Sequence, residues 1–235
     1  MNLQEETYRI LGQRLLDEFD SIKLVGWAVN AMKMGCDSES LVILAGLDYE
    51  STEEREEYFW KSIKELNLDI QKEESELINY YANHVAREVL NRSISPLSGL
   101  KKMNAVCRTT EYDSKYIQFY EISEDLDYLN YGSHPPIYNQ GITKENTEQF
   151  IIREFELFLE CEELGIDHET REMAFCNNCK KITTPELKTK YQLKRPFTYQ
   201  VFVCQNCHSN KIDSFASQAG KEKILNRIKL TQHET

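Results

Sequence analysis

Residues 176–207 read CNNCKKITTPELKTKYQLKRPFTYQVFVCQNC. The stretch opens on Cys176-Asn-Asn-Cys179 and closes on Cys204-Gln-Asn-Cys207, and 24 residues separate the two pairs. Two thiolates two residues apart can grip one metal ion from a tight turn. Two such turns complete the tetrahedron that zinc takes in structural sites. Four sulfur ligands leave no open position for a reacting water, so Cys176, Cys179, Cys204 and Cys207 are expected to hold a structural Zn2+ rather than a hydrolytic one. A redox dithiol and an iron site are the alternatives for the same thiols. A redox dithiol normally uses a single Cys-x-x-Cys beside a βαβ unit, a pattern absent from this sequence. Size supplies a second argument. A module of about 45 residues buries little apolar surface for independent folding, and structural zinc contributes on the order of 10–16 kcal/mol against that deficit.

With its two pairs at that spacing and the β-prone run Phe197–Val203 leading into Cys204, the stretch resembles a zinc ribbon. The resemblance covers about 40 residues. It implies a β-turn knuckle under each cysteine pair and metal binding, but no single function, because ribbons serve as adaptors, nucleic-acid readers and structural staples. Two departures stand out. The spacer exceeds the usual ~15–20 residues, which predicts a loop extending the ribbon tip. Lys180 and His208 stand where many ribbons place a glycine to meet a positive φ. His208 reads as a flanking residue, since four thiolates already complete the ligand set.

Upstream the texture is helical. Apolar residues recur at helical spacing over 6–18, 21–34, 39–47, the stretch after Ser51, 73–91, the stretch after Ser95-Pro96, 113–129 and 144–164. Ser51 with Glu54 fits a capping box, and Asp37 or Ser38 can cap the helix from Glu39. Proline is at ease in the first turn after a capping serine, which makes Ser95-Pro96 a helix start. Gly35 and Gly165 are stops, residues 130–141 form a loop with two prolines and two glycines, and 165–170 read as a linker. Residues 217–230 return to helix. The fold class that follows is mainly α: an all-α domain over 1–165 and a small β zinc ribbon with a terminal helix over 171–235. The segments WAVNAMKMG (27–35), DSESLVILAGL (37–47) and LNRSISPLSGL (90–100) are similar to the helical part of some uncharacterised bacterial proteins. That resemblance spans about half the chain and brings no catalytic residue with it.

Charge divides along the same line. Residues 171–235 carry 12 Lys and Arg against 5 Asp and Glu, whereas residues 1–170 carry 16 against 34, within a net charge of −11. An acidic body thus precedes a basic tail, which points to different partners for the two parts. Lys188, Lys190, Lys194, Arg195, Lys221 and Arg227 are the candidate contacts to a nucleic acid or an acidic partner. Tyr191, Phe197 and Tyr199 lie among the spacer cations and could stack on bases, though so small a module is expected to keep its aromatics inside. Cys36, Cys107 and Cys161 read as small apolar residues, and His84 as a hydrogen-bonded histidine on an apolar helix face.

His134, in the Gly-Ser-His-Pro-Pro loop, is where an enzyme site in the helical domain would lie, yet no catalytic set assembles around it. Walker, dinucleotide-binding and His-Glu-x-x-His motifs are absent. No apolar run approaches the ~18–20 residues that cross a bilayer, and no secretory signal is visible. These observations favour a non-enzymatic cytoplasmic protein, without membrane contact, that binds a protein partner through a zinc-stapled module. The alternative is a nucleic-acid-binding regulator that uses the basic tail.

Overall fold

Side-chain caps set where the first helices begin. In the computed structural model, which describes residues 2–17, 19–132 and 135–233, Asn2 accepts from the Glu5 N–H at 2.9 Å and Glu5 accepts from the Asn2 N–H at 3.1 Å. This capping box satisfies two amides that the helix itself cannot, and it starts α1 (Leu3–Arg14) three residues ahead of the expected position. Helix α2 spans Ile22–Lys33, and Gly35 follows it at φ +87°. Of the two candidate caps for α3 (Glu39–Leu44), Ser38 serves, accepting from the Leu41 N–H at 3.3 Å. Ser51 caps α4 (Thr52–Glu65) through the Glu54 N–H at 3.2 Å.

Then come α5 (Glu74–Leu90) and α6 (Pro96–Thr109), the latter capped by Ser95, followed by α7 (Ile117–Tyr131) and α8 (Thr147–Glu163). Helix α7 starts four residues later than expected because Asp113 forms a turn. Its carboxylate accepts from the Lys115 N–H at 2.8 Å, and its carbonyl accepts from Tyr116 and Ile117. The expected linker after Gly165 contains a further helix, α9 (His168–Arg171), because Asp167 accepts from the Thr170 N–H at 2.8 Å and caps it. Five short strands follow, β1 (Ala174–Cys176), β2 (Ile182–Thr183), β3 (Pro185–Tyr191), β4 (Thr198–Cys204) and β5 (Ile212–Ser214), and then α10 (Gln218–His233). The chain is mainly α with a small C-terminal β region, as its patterning predicts. Among the described residues no helix is long and apolar enough to cross a membrane.

The chain forms two compact units, residues 1–88 with 105–111, and residues 89–104 with 112–235. They do not part near Gly165: the strands and α10 share the second unit with α7 and α8. In the first unit the core centres on Trp27. Its ring meets Phe59 edge-on at 4.9 Å, and its indole N–H donates to Thr7 Oγ1 at 3.2 Å, so a large ring is buried with its polar atom satisfied. Helices α1 and α5 touch at Gly12, where a Cβ would sit 2.1 Å from the Leu77 carbonyl oxygen; only glycine permits that approach. His84 is half-buried, with Nε2 3.6 Å from Glu88 Oε1.

In the second unit α8 has two apolar faces. Phe155 and Phe158 pack on Phe119 of α7, while Leu157 and Cys161 pack on Phe215, Ile224 and Leu225 from the tail. Cys107 and Cys161 are buried as small apolar residues, and Cys36 lies partly buried against the first unit's core.

Candidate metal centre

Strand β1 carries Cys176 into one turn, and β4 carries Cys204 into another. Strand β1 lies between β2 and β5 in a three-stranded antiparallel sheet, whereas β3 and β4 form a separate two-stranded hairpin in register from Pro185↔Cys204 to Tyr191↔Thr198. The two cysteine turns have one geometry. The Lys180 N–H donates to the Cys176 carbonyl and the His208 N–H to the Cys204 carbonyl, both at 2.8 Å. The Cys176 N–H donates to the Lys181 carbonyl at 3.0 Å and the Cys204 N–H to the Ser209 carbonyl at 2.9 Å. Lys180 and His208 adopt φ +60° and +56°. The knuckle backbone therefore survives the absence of glycine, held by two backbone hydrogen bonds at each turn.

The four sulfurs lie within 4.8 Å of one another. Cys176 Sγ is 3.5 Å from Cys207 Sγ, and Cys179 Sγ is 3.7 Å from Cys204 Sγ. A disulfide would bring two sulfurs to about 2.05 Å. Sulfurs each about 2.3 Å from a central zinc lie about 3.8 Å apart. The spacing fits a metal tetrahedron and excludes a disulfide. Cys176 and Cys204 are buried, and Cys179 and Cys207 are half-buried.

The thiols are prepared for charge unequally. Burial resists ionisation of Cys204, but the Cys207 and Asn206 amides and the Thr183 hydroxyl stabilise its thiolate and bring it down to about 6. The Asn178 side-chain amide, 3.5 Å from Cys207 Sγ, holds that thiol low as well. Burial pushes Cys179 up to about 12, and the neighbouring thiols add to the rise. Four thiolates this close repel one another, and a divalent cation at their centre removes the penalty. Soft sulfur donors in a closed tetrahedral set suit zinc or iron rather than magnesium or calcium.

Helix α10 is tied to the first knuckle. Lys223 Nζ donates to Asn177 Oδ1 at 2.9 Å and pairs with Asp213, while Asn177 Nδ2 donates to Asp213 Oδ2 at 2.8 Å. The Lys223 ammonium holds the Asp213 carboxyl below the usual carboxylate range.

The candidate contact residues have separate fates. Lys221 is buried against Glu154 of α8 and cannot offer its charge outward, which corrects its place among surface contacts. Arg227 is exposed on α10. Lys188 Nζ lies 2.9 Å from His208 Nδ1 and 3.5 Å from Glu186 Oε2, and His208 is not part of the four-cysteine cluster. Lys190, Lys194 and Arg195 form no ion pair with a described residue.

The extra spacer length is not a tip loop. It builds the hairpin itself, with seven residues in each strand. Nor are the aromatics inside. Tyr191 is 83% exposed, Phe197 58% and Tyr199 42%, together with Leu187, Leu193 and Phe202. The three-stranded sheet and α10 pack on α8, and the hairpin leaves these six side chains exposed while Val203 and Cys204 at its base are buried.

His134 lies outside the described residues. The loop after it is anchored by Asp125 of α7, a fully buried carboxylate. It accepts from the Ile137, Tyr138 and Asn139 N–H groups at 2.6, 3.1 and 2.7 Å and from Asn139 Nδ2 at 3.0 Å. Nothing in the spacing of acids along α7 distinguishes Asp125 from its neighbours. No family model, no curated protein and no solved structure matches the chain.

Proposed function

We propose that the chain is a binding protein without catalysis of its own, in which a structural zinc ion held by Cys176, Cys179, Cys204 and Cys207 stiffens a module that docks an acidic protein partner through the β3–β4 hairpin. The observation that carries this reading is the exposure of Leu187, Tyr191, Leu193, Phe197 and Phe202, between 52% and 100%, on one hairpin beside Lys190, Lys194 and Arg195. Apolar side chains gathered this way mark interaction surfaces, and the cations select an acidic partner. Zinc suits four thiolates with no open position, and thiol ligands suit a reducing, cytoplasmic setting.

A second reading, single-stranded nucleic acid on the hairpin, is favoured by Tyr191, Phe197 and Tyr199 standing exposed among those cations. The excess of acids over residues 1–170 opposes it through long-range repulsion of phosphate.

A photo-crosslinking residue at Leu193 and gel shifts at two salt concentrations separate the readings. The protein reading expects one dominant protein adduct, lost on Tyr191→Ala/Phe202→Ala, and negligible binding to mixed DNA and RNA at low salt. Tight binding of nucleic acid that weakens with salt, at a slope of about −0.7 per phosphate contact on single strands, and is lost on Lys190→Glu/Arg195→Glu, would replace it with the second.

A further inference from the structure

The β3–β4 hairpin is a sheet of two strands, so among the described residues each strand has one edge without a neighbouring strand. Register and hydrogen-bond alternation fix which backbone groups of β3 face that edge. The Gln192 N–H donates to the Phe197 carbonyl at 2.9 Å, which makes the position just beyond Tyr191↔Thr198 a hydrogen-bonded pair. In an antiparallel ladder such pairs alternate with pairs whose N–H and C=O groups turn away from the partner strand. Lys190, Lys188 and Glu186 therefore bond to β4, and Leu187, Thr189 and Tyr191 direct their N–H and C=O groups to the free edge. Cys204 bears this out. It lies opposite Pro185, an outward-turned pair by the same alternation, and its N–H does turn away, to the Ser209 carbonyl at 2.9 Å. No described residue bonds to the outward groups of Leu187, Thr189 or Tyr191. Pro185 has no N–H to offer and ends the edge at the start of β3.

Side chains alternate across this edge. Leu187, Thr189 and Tyr191 share one face, where all three are exposed, and Glu186, Lys188 and Lys190 share the other. Lys194 and Arg195 follow in the connection to β4. Over residues 186–195 these cations outnumber the single acid, Glu186, so the edge is positive. Lysines on an open edge act against pairing with a second copy, whose edge carries the same charge, and they attract an acidic strand. Lys190 has no ion partner among the described residues. Lys188 has an exposed pair with Glu186 at 3.5 Å, too weak in water to withhold the ammonium from another carboxylate.

We propose that the free edge of β3 takes up an extended segment of the acidic partner as a third, antiparallel strand, and that this segment alternates apolar and acidic residues. The proposal rests on the docking role of the hairpin and names what docks there. Opposite Leu187, Thr189 and Tyr191, each residue of the segment exchanges two backbone hydrogen bonds with β3. Residues directly opposite each other share a face, so the apolar residues of the segment meet Leu187 and Tyr191, and its carboxylates meet Lys188 and Lys190. Main-chain bonds supply affinity, and the two faces supply selectivity.

The test uses the full zinc-loaded chain and labelled peptides built on Val-Glu-Val-Glu-Val, read by fluorescence anisotropy. In the added strand the valine amides face β3 and the glutamate amides face away. Methylating the valine nitrogens is expected to weaken binding at least about tenfold through lost hydrogen bonds, and methylating the glutamate nitrogens to change it by less than about twofold. Val-Gln-Val-Gln-Val is expected to bind several-fold more weakly and without the salt dependence of the parent peptide. Thr189→Pro removes an outward N–H that β4 does not use, and is expected to abolish binding at unchanged zinc content and melting temperature. Should that variant fail to fold, the two methylated peptides decide alone. Equal binding of the methylated peptides overturns strand addition, as does no binding of the parent peptide up to about 1 mM. Self-association of the chain that Thr189→Pro abolishes would give the edge to a second copy and overturn it as well. The Leu193 crosslink judges the docking role separately: a protein adduct that persists in folded Thr189→Pro keeps docking and removes strand addition.

Discussion

Glu154 of α8 and Lys221 of α10 form an ion pair from which water is excluded: their side chains are 2% and 5% exposed. Gln218 adds to the joint, its Nε2 donating to the Phe150 carbonyl at 2.9 Å and to Glu154 Oε2 at 3.3 Å. The residue that the basic tail pattern offers as an outward contact thus ties the tail to α8. A buried pair is costly to break and cheap to replace, because removing one partner strands the other charge. Lys221→Met alone is expected to cost about 3–5 kcal/mol, and Lys221→Met/Glu154→Leu to recover most of it. Urea midpoints followed by circular dichroism measure both. A single variant as stable as the parent chain would show that Glu154 carries no buried charge.

Metal analysis of gently purified protein is expected to return one zinc per chain, and Cys176→Ser/Cys204→Ser to return none. Chelation has a further signature. The strands and α10 cover Leu157 and Cys161 of α8, so loss of the metal should uncover an apolar cluster. Dye binding should rise while most of the helical signal persists, since α1–α5 have their own core. Collapse of the whole helical signal would count against this.

The two knuckle positions at positive φ, Lys180 and His208, give a prediction of opposite sign. A non-glycine residue in the left-handed region costs about 1–2 kcal/mol, whereas glycine adds about 0.5–1 kcal/mol of unfolded-state entropy. Lys180→Gly is therefore expected to stabilise the metal-bound module slightly, by roughly 0.5–1 kcal/mol. Lys180→Val, β-branched at φ +60°, should weaken metal retention. A chelator competition series across the three proteins reads the order Gly, Lys, Val; any other order would remove backbone strain as the explanation.

Alkaline pH addresses the first unit. Burial pushes the Tyr81 phenol up to about 12, above its ordinary 10. The unfolded chain ionises this group first, so its contribution is full below about pH 10 and is lost as pH rises through about 12. A rise of this size corresponds to roughly 2–3 kcal/mol. Tyr81→Phe should flatten the decline of the urea midpoint over that window, and equal declines in parent and variant would contradict the assignment.

The candidate metal site was legible in the sequence because its information is local. Two thiols three positions apart share one turn whatever surrounds them, and the caps at Ser38, Ser51 and Ser95 are likewise contacts within three residues. Local rules also misplaced elements where a side chain had a competing use: Asp113 forms a turn ahead of α7, and Asp167 starts a helix inside an expected linker.

The sequence by itself determined the mainly helical class, the two cysteine pairs of the candidate metal site and the basic character of the tail. Tertiary structure alone decided what the tail's residues face. Lys221 meets a partner 67 positions away, and the hairpin aromatics stay in solvent because the other sheet and α10 cover α8. Periodicity shows that a side chain belongs to a face of its own element. Whether that face is buried depends on surfaces supplied by distant segments, which no window of the sequence contains.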